Sequence, residues 1–390
     1  VSERFDLVIV GGGLAGASLA VALRASRLSI AVVEARPPRR PEGWDARVYA
    51  VSPANAEFLR ALGVWQHLDA SRVCPVHDMA VYGDAGGRLE FSAYDSGLGE
   101  LAWILEASLM RAELWETLKR QHNVTLLCPA TPRALSVEDG GAVLTLDDGR
   151  VLRARLVVGA DGADSWVRRQ TAAIEARFTP YDEMGVVANF QCARPHRNTA
   201  YQWFREDGIL AWLPLPDNRM SMVWSTPDRH AHELLALDGP ALCARVAEAG
   251  GNALGDFELI TPAAGFALRL MRVNEPVAPR VVLVGDAAHA IHPLSGHGIN
   301  LGFQDARVLA EVLGALPSWR DPGELGALRA YARARAEEPL LMQYTTHALN
   351  RLFNQRNPLL AGVRNFGLNL TNALPVVRNA LIRYAVNGRF

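Results

Sequence analysis

Gly11-Gly12-Gly13-Leu14-Ala15-Gly16, close to the N-terminus, narrows the choice of fold more than any other stretch of the chain. It follows a short apolar run, Phe5 to Val10, and leads into alanines and leucines at helical spacing up to Leu23, which reads as strand, tight turn and helix. A second apolar run, Ser29 to Val33, ends in Glu34, putting an acid at a strand tip about 20 residues beyond the glycines, where it can accept hydrogen bonds from ribose hydroxyls. The residue types follow from the chemistry. Gly11 permits the turn, Gly13 lets the backbone approach a pyrophosphate, Gly16 lets the helix pack close, and the helix N-terminus stabilises the phosphate charge. The pattern predicts a bound dinucleotide on a Rossmann-like α/β domain, and the acid favours FAD or NAD over NADP.

The rest of the chain bounds what surrounds that domain. Its 390 residues exceed the roughly 250–300 at which a single core stops growing, so two lobes are expected. No repeat or long polar linker divides them, which makes interleaved domains the expectation. A net charge of −1 with scattered arginines and a single lysine, Lys119, offers no basic stripe for nucleic acid. Four widely spaced cysteines, Cys74, Cys128, Cys192 and Cys243, suggest neither a zinc site nor a disulfide framework and fit a reducing cytoplasm. The N-terminal apolar run lacks a basic start and is broken by glycines, so it does not read as a signal peptide. No other run reaches the roughly 20 apolar residues of a membrane span.

Two later segments repeat the strand-turn-helix theme. Residues 142–158 read as hairpin strands around Asp147-Asp148-Gly149 and lead into LVVGADGADSWVRR, where Ala160-Asp161-Gly162 feeds a helix beginning near Asp164 or Ser165, both good N-caps. Further on, the strand Val281 to Val284 runs into Gly285-Asp286 and through a glycine-rich turn into a long helix starting near Gly298. An aspartate at a strand tip can bind a ribityl hydroxyl, and a glycine-opened helix beside it can bind an electron-rich group.

Together the three segments resemble the FAD-dependent aromatic hydroxylases typified by para-hydroxybenzoate hydroxylase: GGGLAG with Glu34, the DG motif at Asp161-Gly162 and the GD motif at Gly285-Asp286. HPLSGHGINLGFQD, residues 292–305, is similar to the signature of the ubiquinone-biosynthesis hydroxylase subfamily, which more often has alanine-glycine-glutamine-glycine where Ser295-Gly296-His297-Gly298 stands here. The resemblance implies that Gly11, Gly13, Gly16 and Glu34 hold the ADP half of FAD. It implies that Asp286 binds the ribityl chain and that Gly296, Gly298, Ile299 and Asn300 lie along the isoalloxazine ring. Asp161 lies in the motif linked to FAD and to transient NAD(P)H contact, Arg47 resembles an arginine near the flavin or pyrophosphate, and Arg111 one that contacts the cofactor from a helix start. Where the subfamily often has asparagine after the glutamate of this segment, Glu106 is followed by Ala107.

The implied chemistry is hydride transfer from NADH or NADPH to FAD, capture of dioxygen as a C4a-hydroperoxide, and oxygen transfer to an electron-rich ring carbon. No metal is required. His289, His292 and His297 therefore read as parts of the turn around the flavin, with His297 in a flavin-adjacent loop and His289 capping or packing. A soluble aromatic substrate, reduction of an isoprenoid chain, and a flavin-binding interaction module without turnover remain as alternatives.

From about Phe178 to Ala267 the pattern changes to short alternating runs, an expected antiparallel sheet carrying Tyr201, Trp203, Phe204, Trp212 and Trp224. Each of these aromatics taken singly reads as core, and collectively they read as a large apolar substrate lobe over the flavin without named contacts. The expected segments are 1–72, 101–175 and 276–338 for FAD binding, 73–100 and 176–275 for the sheet domain, and 339–390 for a helical tail. In that tail, residues 351–390 hold six arginines and no acid, and apolar residues at helical spacing suggest two helices split at Pro375. It reads either as a basic surface touching a membrane or partner or as a helical pair packed on the FAD domain. The expected partners are a polyprenyl phenol, dioxygen, other proteins of the ubiquinone pathway and further copies of the chain. The expected location is the cytoplasm, with peripheral contact at the inner membrane.

Overall fold

The computed structural model describes residues 2–40, 42–84, 86–138, 140–290, 298–344, 365 and 369–372. His292, Gly296, His297 and most of the predicted tail helices lie outside the described residues.

The first sheet orders its strands Val277–Ala278, Val281–Leu283, Val151–Gly159, Ser2–Val10, Ile30–Val33 and Val124–Leu127. The last five run parallel. These runs are continuously apolar because helices and a hairpin cover both faces: Leu7 and Ile9 pack with Leu19, Phe303 and Leu309 on one side, and Val8 and Val10 with Leu144, Leu152 and Val157 on the other. Helix Leu14–Ala22 packs against helices Ala107–Lys119 and Gly298–Gly314. The chain leaves Ser2–Val10 for Ile30–Val33 on one flank and later returns to its other flank as Val151–Gly159, so strand order reverses there. That reversal opens a crevice at the carboxyl ends of the strands. The predicted hairpin forms, with Gly149 at φ +86°.

The second sheet has nine strands. Its main path runs His289–Ala290, Ala264–Val273, Ala176–Cys192, Arg219–Pro227, Gly208–Leu215, Thr199–Arg205, Asp78–Tyr82 and Arg88–Ser92. It is antiparallel except where Thr199–Arg205 meets Asp78–Tyr82. One face is covered by helices Asp228–Leu235 and Gly239–Ala249, and the other packs through Ala200 and Leu215 on the small sheet formed by Val48–Val51, Ala102–Glu106 and Cys74–Val76. Among the described residues no helix is long and apolar enough to cross a membrane.

The far edge of this sheet is closed by asparagines from the tail. Asn365 Oδ1 accepts from Gly87 N (2.8 Å), Asn369 Oδ1 from Arg88 N (2.8 Å) and Asn372 Oδ1 from Glu90 N (3.0 Å). The spacing i, i+4, i+7 places all three on one helical face, and Gly87 admits the close approach, since a β-carbon there would lie 2.5 Å from Asn365 Oδ1. An open strand edge is a template for unwanted pairing, and these carboxamides occupy it. The described part of the tail thus packs on the sheet domain, a correction to the expectation of docking on the FAD domain. Replacing Asn369 and Asn372 by alanine is expected to accelerate amide exchange at Arg88 and Glu90; unchanged exchange in the double variant would contradict the contact.

Candidate functional site

Four turns converge at the carboxyl ends of the parallel strands: Gly11–Gly13, Glu34, Ala160–Gly162 and Gly285–Asp286. Gly11 sits at φ +104°, a conformation that suits glycine, and donates its N–H to Val33 O at 2.8 Å. A β-carbon on Gly16 would stand 2.0 Å from Gly11 O, so the helix meets the turn only because that atom is missing. Gly13 differs: a β-carbon there would meet nothing within 4 Å. It is the N-cap of helix Leu14–Ala22 and gives it no side-chain cap, so no capping side chain competes with an anion for the helix's first N–H groups.

Glu34 serves this turn directly. Its Oε2 accepts from Gly12 N at 2.7 Å and its Oε1 from Arg36 N at 3.1 Å. Arg111, from helix Ala107–Lys119, reaches Glu34 Oε1 at 3.3 Å and donates to Arg36 O at 3.2 Å, while its buried Nε has no protein partner. A buried donor without a partner is costly, and an acceptor from a nucleotide would satisfy it. Ala107 stands beside Arg47, giving its N–H to Arg47 O at 3.0 Å. The preceding Glu106 is fully engaged inside the protein by Arg72, with contacts of 2.6 Å to each carboxylate oxygen.

Asp161 is turned away from the crevice. Its carboxylate accepts from Ser165 Oγ (2.5 Å), Trp166 N (2.6 Å) and Val167 N (3.1 Å), while Ser165 caps helix Trp166–Gln170 as the sequence predicts. That helix carries Arg168, a buried residue that sequence reasoning passed over. Its guanidinium donates to Ala163 O and to Ala287 O, both at 2.7 Å, and so fastens the DG segment to the GD segment.

Gly285 adopts φ +60° and lies against Ala15 and Gly302, where a β-carbon would come within 3.1 Å of Ala15 Cβ. The next residue, Asp286, is exposed at the strand-tip turn, with protein crowded around it. That crowding raises its carboxyl above the usual value, with His289 and the exposed Arg47 pulling the other way. Arg47 and Asp286, from distant segments, thus lie near enough for their charges to interact.

At the start of helix Gly298–Gly314, a β-carbon on Gly298 would meet nothing within 4 Å and Ile299 is half-buried. Asn300 is buried and its carboxamide is consumed internally: Oδ1 accepts from Ser52 N and Asn55 Nδ2, both at 3.0 Å, and Nδ2 donates to Ala50 O at 2.8 Å. Its side chain therefore ties the helix start to the segment 50–55, and Asn55 Nδ2 also donates to its backbone oxygen at 3.4 Å. Among the described residues no cluster of His, Cys, Asp and Glu is arranged to hold a metal ion.

The aromatics of the large sheet are core residues, as each reads singly. Trp212 and Trp224 pack with Val186, Ala188 and Phe190 under the two covering helices, with Tyr201 and Trp203 against the same cluster. Phe204 joins a separate cluster with Val81 and Leu89. Alternation along the strands sends Asn189, Ala211, Leu213 and Val223 to the opposite face, and Asn189 Nδ2 donates there to Asp45 O at 2.9 Å. The face turned toward the nucleotide domain is thus small and largely aliphatic. Composition located the apolar lobe but not which face its largest residues occupy.

The chain matches a family model described as FAD binding domain over residues 4–340. It is 34% identical to the ubiquinone hydroxylase UbiL of Rhodospirillum rubrum, with 98% of this chain and 89% of that protein covered. It is 32% identical to the 3-demethoxyubiquinol 3-hydroxylase of Escherichia coli, with 99% of each covered. Among solved structures it is similar to PqsL, a probable FAD-dependent monooxygenase from Pseudomonas aeruginosa (TM-score 0.75, 28% identity, 94% and 100% covered). The p-nitrophenol 4-monooxygenase PnpA from Pseudomonas putida shares the fold (TM-score 0.81, 20% identity, 100% of each covered). With an uncapped helix N-terminus, an unpartnered Arg111 donor and an exposed Asp286 at the strand-tip turn, the residues present fit FAD, and the chain belongs to the FAD-dependent aromatic monooxygenases, within the subfamily of ubiquinone-biosynthesis hydroxylases.

Proposed function

We propose that this protein hydroxylates a ring carbon of a polyprenylated phenol on the route to ubiquinone, using dioxygen and NADH or NADPH. The likeness that spans 99% of both this chain and a 3-demethoxyubiquinol 3-hydroxylase carries the reading. FAD, when bound, supplies the redox chemistry and oxygen activation that no side chain provides. The chain's own residues bind, orient and keep the site dry. Gly13 and the helix N-terminus, in the turn shaped by Gly11 and Gly16, would hold the pyrophosphate, Glu34 and Arg111 the ADP end, and Asp286 the ribityl chain, with Arg47 adding positive charge nearby. Gly298, Ile299 and Asn300 would line the side of the site that receives the ring, and the family resemblance assigns Gly296, outside the described residues, to the same role. The small aliphatic sheet face at Ala211, Leu213 and Val223 would cover the substrate side of the site and exclude water from it.

A lipid substrate also implies peripheral contact with the membrane that holds it, through the arginine-rich tail; flotation of full-length and tail-deleted protein with liposomes tests this, and equal non-binding by both would refute it. A soluble aromatic substrate is the second reading, favoured by the likeness to PqsL, which has also been solved with 2-aminobenzoylacetate at 28% identity to this chain. Complementation of strains each blocked at one ring-hydroxylation step, with quinone intermediates identified by mass spectrometry, separates the two: rescue of no strain would sink the leading reading. For the cofactor, Asp286→Ala is expected to purify depleted of FAD with its fold intact. A fully yellow, normally active variant would overturn the assignment of Asp286.

A further inference from the structure

Beneath the Gly285–Asp286 turn lies a buried cluster of charges that none of the cofactor contacts above uses. The Asp305 carboxylate is 1% exposed. Its Oδ2 receives both Gly285 N–H at 2.9 Å and His289 Nε2 at 2.7 Å, and its Oδ1 receives Arg335 Nε at 2.7 Å. Arg335 is held in turn by Gln304 Oε1 at 3.0 Å and Glu338 Oε2 at 2.5 Å. The His289 backbone pairs with Arg272 at the edge of the large sheet. One imidazole thus joins the substrate sheet, helix Gly298–Gly314 and the turn that presents Asp286.

We propose that His289 is a positioning residue for flavin binding, acting through Asp305: the His289–Asp305 pair holds the carboxylate oxygen that anchors Gly285 N–H and so fixes where Asp286 points. This inference rests on the reading of Asp286 as a flavin contact. Gly285 has no side chain to steady it and sits at φ +60°, so its N–H bond to a charged acceptor is the restraint closest to Asp286. Hydrogen bonds to an ionised acceptor are about twice as strong as neutral ones. Losing the His289 proton would leave Asp305 and Asp286 facing each other with one cation fewer.

The charges that face His289 are Asp305 and Arg335 from the two helical segments and Asp286 from the turn; Arg47 acts on Asp286 from the opposite segment, and Glu338 neutralises Arg335 from behind. Burial alone would favour the neutral imidazole, but Asp305 outweighs it and holds His289 protonated above the usual histidine value. The restraint is therefore complete at low pH and weakens as pH rises through that elevated value.

The test is titration of apoprotein with FAD, followed by quenching of flavin fluorescence, from about pH 6 to about pH 9. Wild-type affinity is expected to fall by about tenfold across that range, the equivalent of one charge-assisted hydrogen bond. His289→Gln keeps a donor without the charge; it is expected to bind FAD about tenfold more weakly at the acid end and to show a flat profile. If His289 only filled space, His289→Gln would lower Tm while its FAD affinity followed the wild-type profile, and that outcome overturns the proposal. Should His289→Gln fail to fold, His289→Asn takes its place, and a flat wild-type profile is by itself sufficient to reject the idea. Asp286→Ala separates the two levels of inference. If its FAD affinity equals that of wild type, the reading of Asp286 has failed; if it loses FAD while His289→Gln and its pH profile do not change, only the positioning role has failed.

Discussion

Gly13→Ala is expected to yield a folded protein that no longer retains FAD, whereas Gly16→Ala is expected to lose the fold of the nucleotide turn itself. Both glycines belong to one motif, and the structure separates them by what a methyl group would meet. At Gly13 it would meet no protein atom within 4 Å, and the backbone, at φ −72° and ψ −171°, is one that alanine adopts without strain. The loss in apoprotein stability should stay below about 1 kcal/mol, the usual difference between glycine and alanine at an N-cap. That methyl group, however, projects from the helix start where a pyrophosphate must come into contact with backbone N–H groups. A cost of about 3 kcal/mol there corresponds to roughly 100-fold in Kd. At Gly16 the methyl would stand 2.0 Å from Gly11 O and 3.0 Å from Ala160 Cβ. Neither neighbour can yield, since Gly11 is fixed at φ +104° and bonded to Val33 O, and overpacking of this kind costs about 1–3 kcal/mol or more. Urea denaturation of the apoproteins together with FAD titration reads both quantities. Equal FAD affinity in Gly13→Ala and wild type would remove the pyrophosphate from this helix terminus.

The same contrast explains how much was legible in the sequence. Strand, turn, helix and Glu34 could be read because backbone requirements leave a local mark: glycine where φ is positive, an acid where a strand ends, an apolar run where both faces are covered. The caps at Ser165 and the turn at Gly149 could be read for the same reason. Side-chain direction leaves no such mark. Asp161 and Asn300 stand in the right motifs, yet both carboxyl and carboxamide groups turn into the protein and tie segments together, Asn300 across about 250 positions of sequence to Ser52 and Asn55. Arg168, Asp305 and Arg335 escaped notice because each works through a partner far away in sequence, and in the absence of those partners each looks like an ordinary helix-surface charge. The tryptophans marked the large sheet correctly, but a strand alternates its faces, and which face meets the nucleotide domain depends on how the two sheets dock.

Those long-range ties suggest how the site is assembled. The crevice is built from four turns that touch through backbone and glycine contacts, and buried polar bridges add to their register: Arg168 from the DG segment to Ala287, Asn300 from the long helix to segment 50–55, and Asp305 to Gly285. Apolar packing can set the spacing of the layers, but a hydrogen bond between named atoms is far more sensitive to position. Cofactor affinity should therefore respond to residues that never touch the cofactor.

The largest loss of stability is expected from Asp305→Ala. The carboxylate is 1% exposed and its partner Arg335 6%, so the variant buries an arginine with one acid, Glu338, beside it, and leaves His289 without the carboxylate that favours its charge. Breaking a buried ion pair from one side costs about 3–5 kcal/mol, because the remaining charge keeps its desolvation penalty. The pH dependence identifies the cause. Burial opposes the Asp305 charge, but His289 and Arg335 outweigh it and hold the carboxyl below its usual value, so its contribution is present above the unfolded carboxylate value of about 3.9 and disappears as pH falls through the lower folded value. His289 has the opposite sign. Its folded value is raised, so its contribution is complete below the unfolded value of about 6.5 and is lost as pH rises through the folded one. Wild-type stability should accordingly carry an acid limb from Asp305 and an alkaline limb from His289. In Asp305→Ala the acid limb loses this component, and the alkaline limb disappears because His289 no longer has the carboxylate that raised it. Urea midpoints across the pH range measure both. A variant that is merely less stable, with both limbs preserved, would show that the pair does not govern the pH dependence.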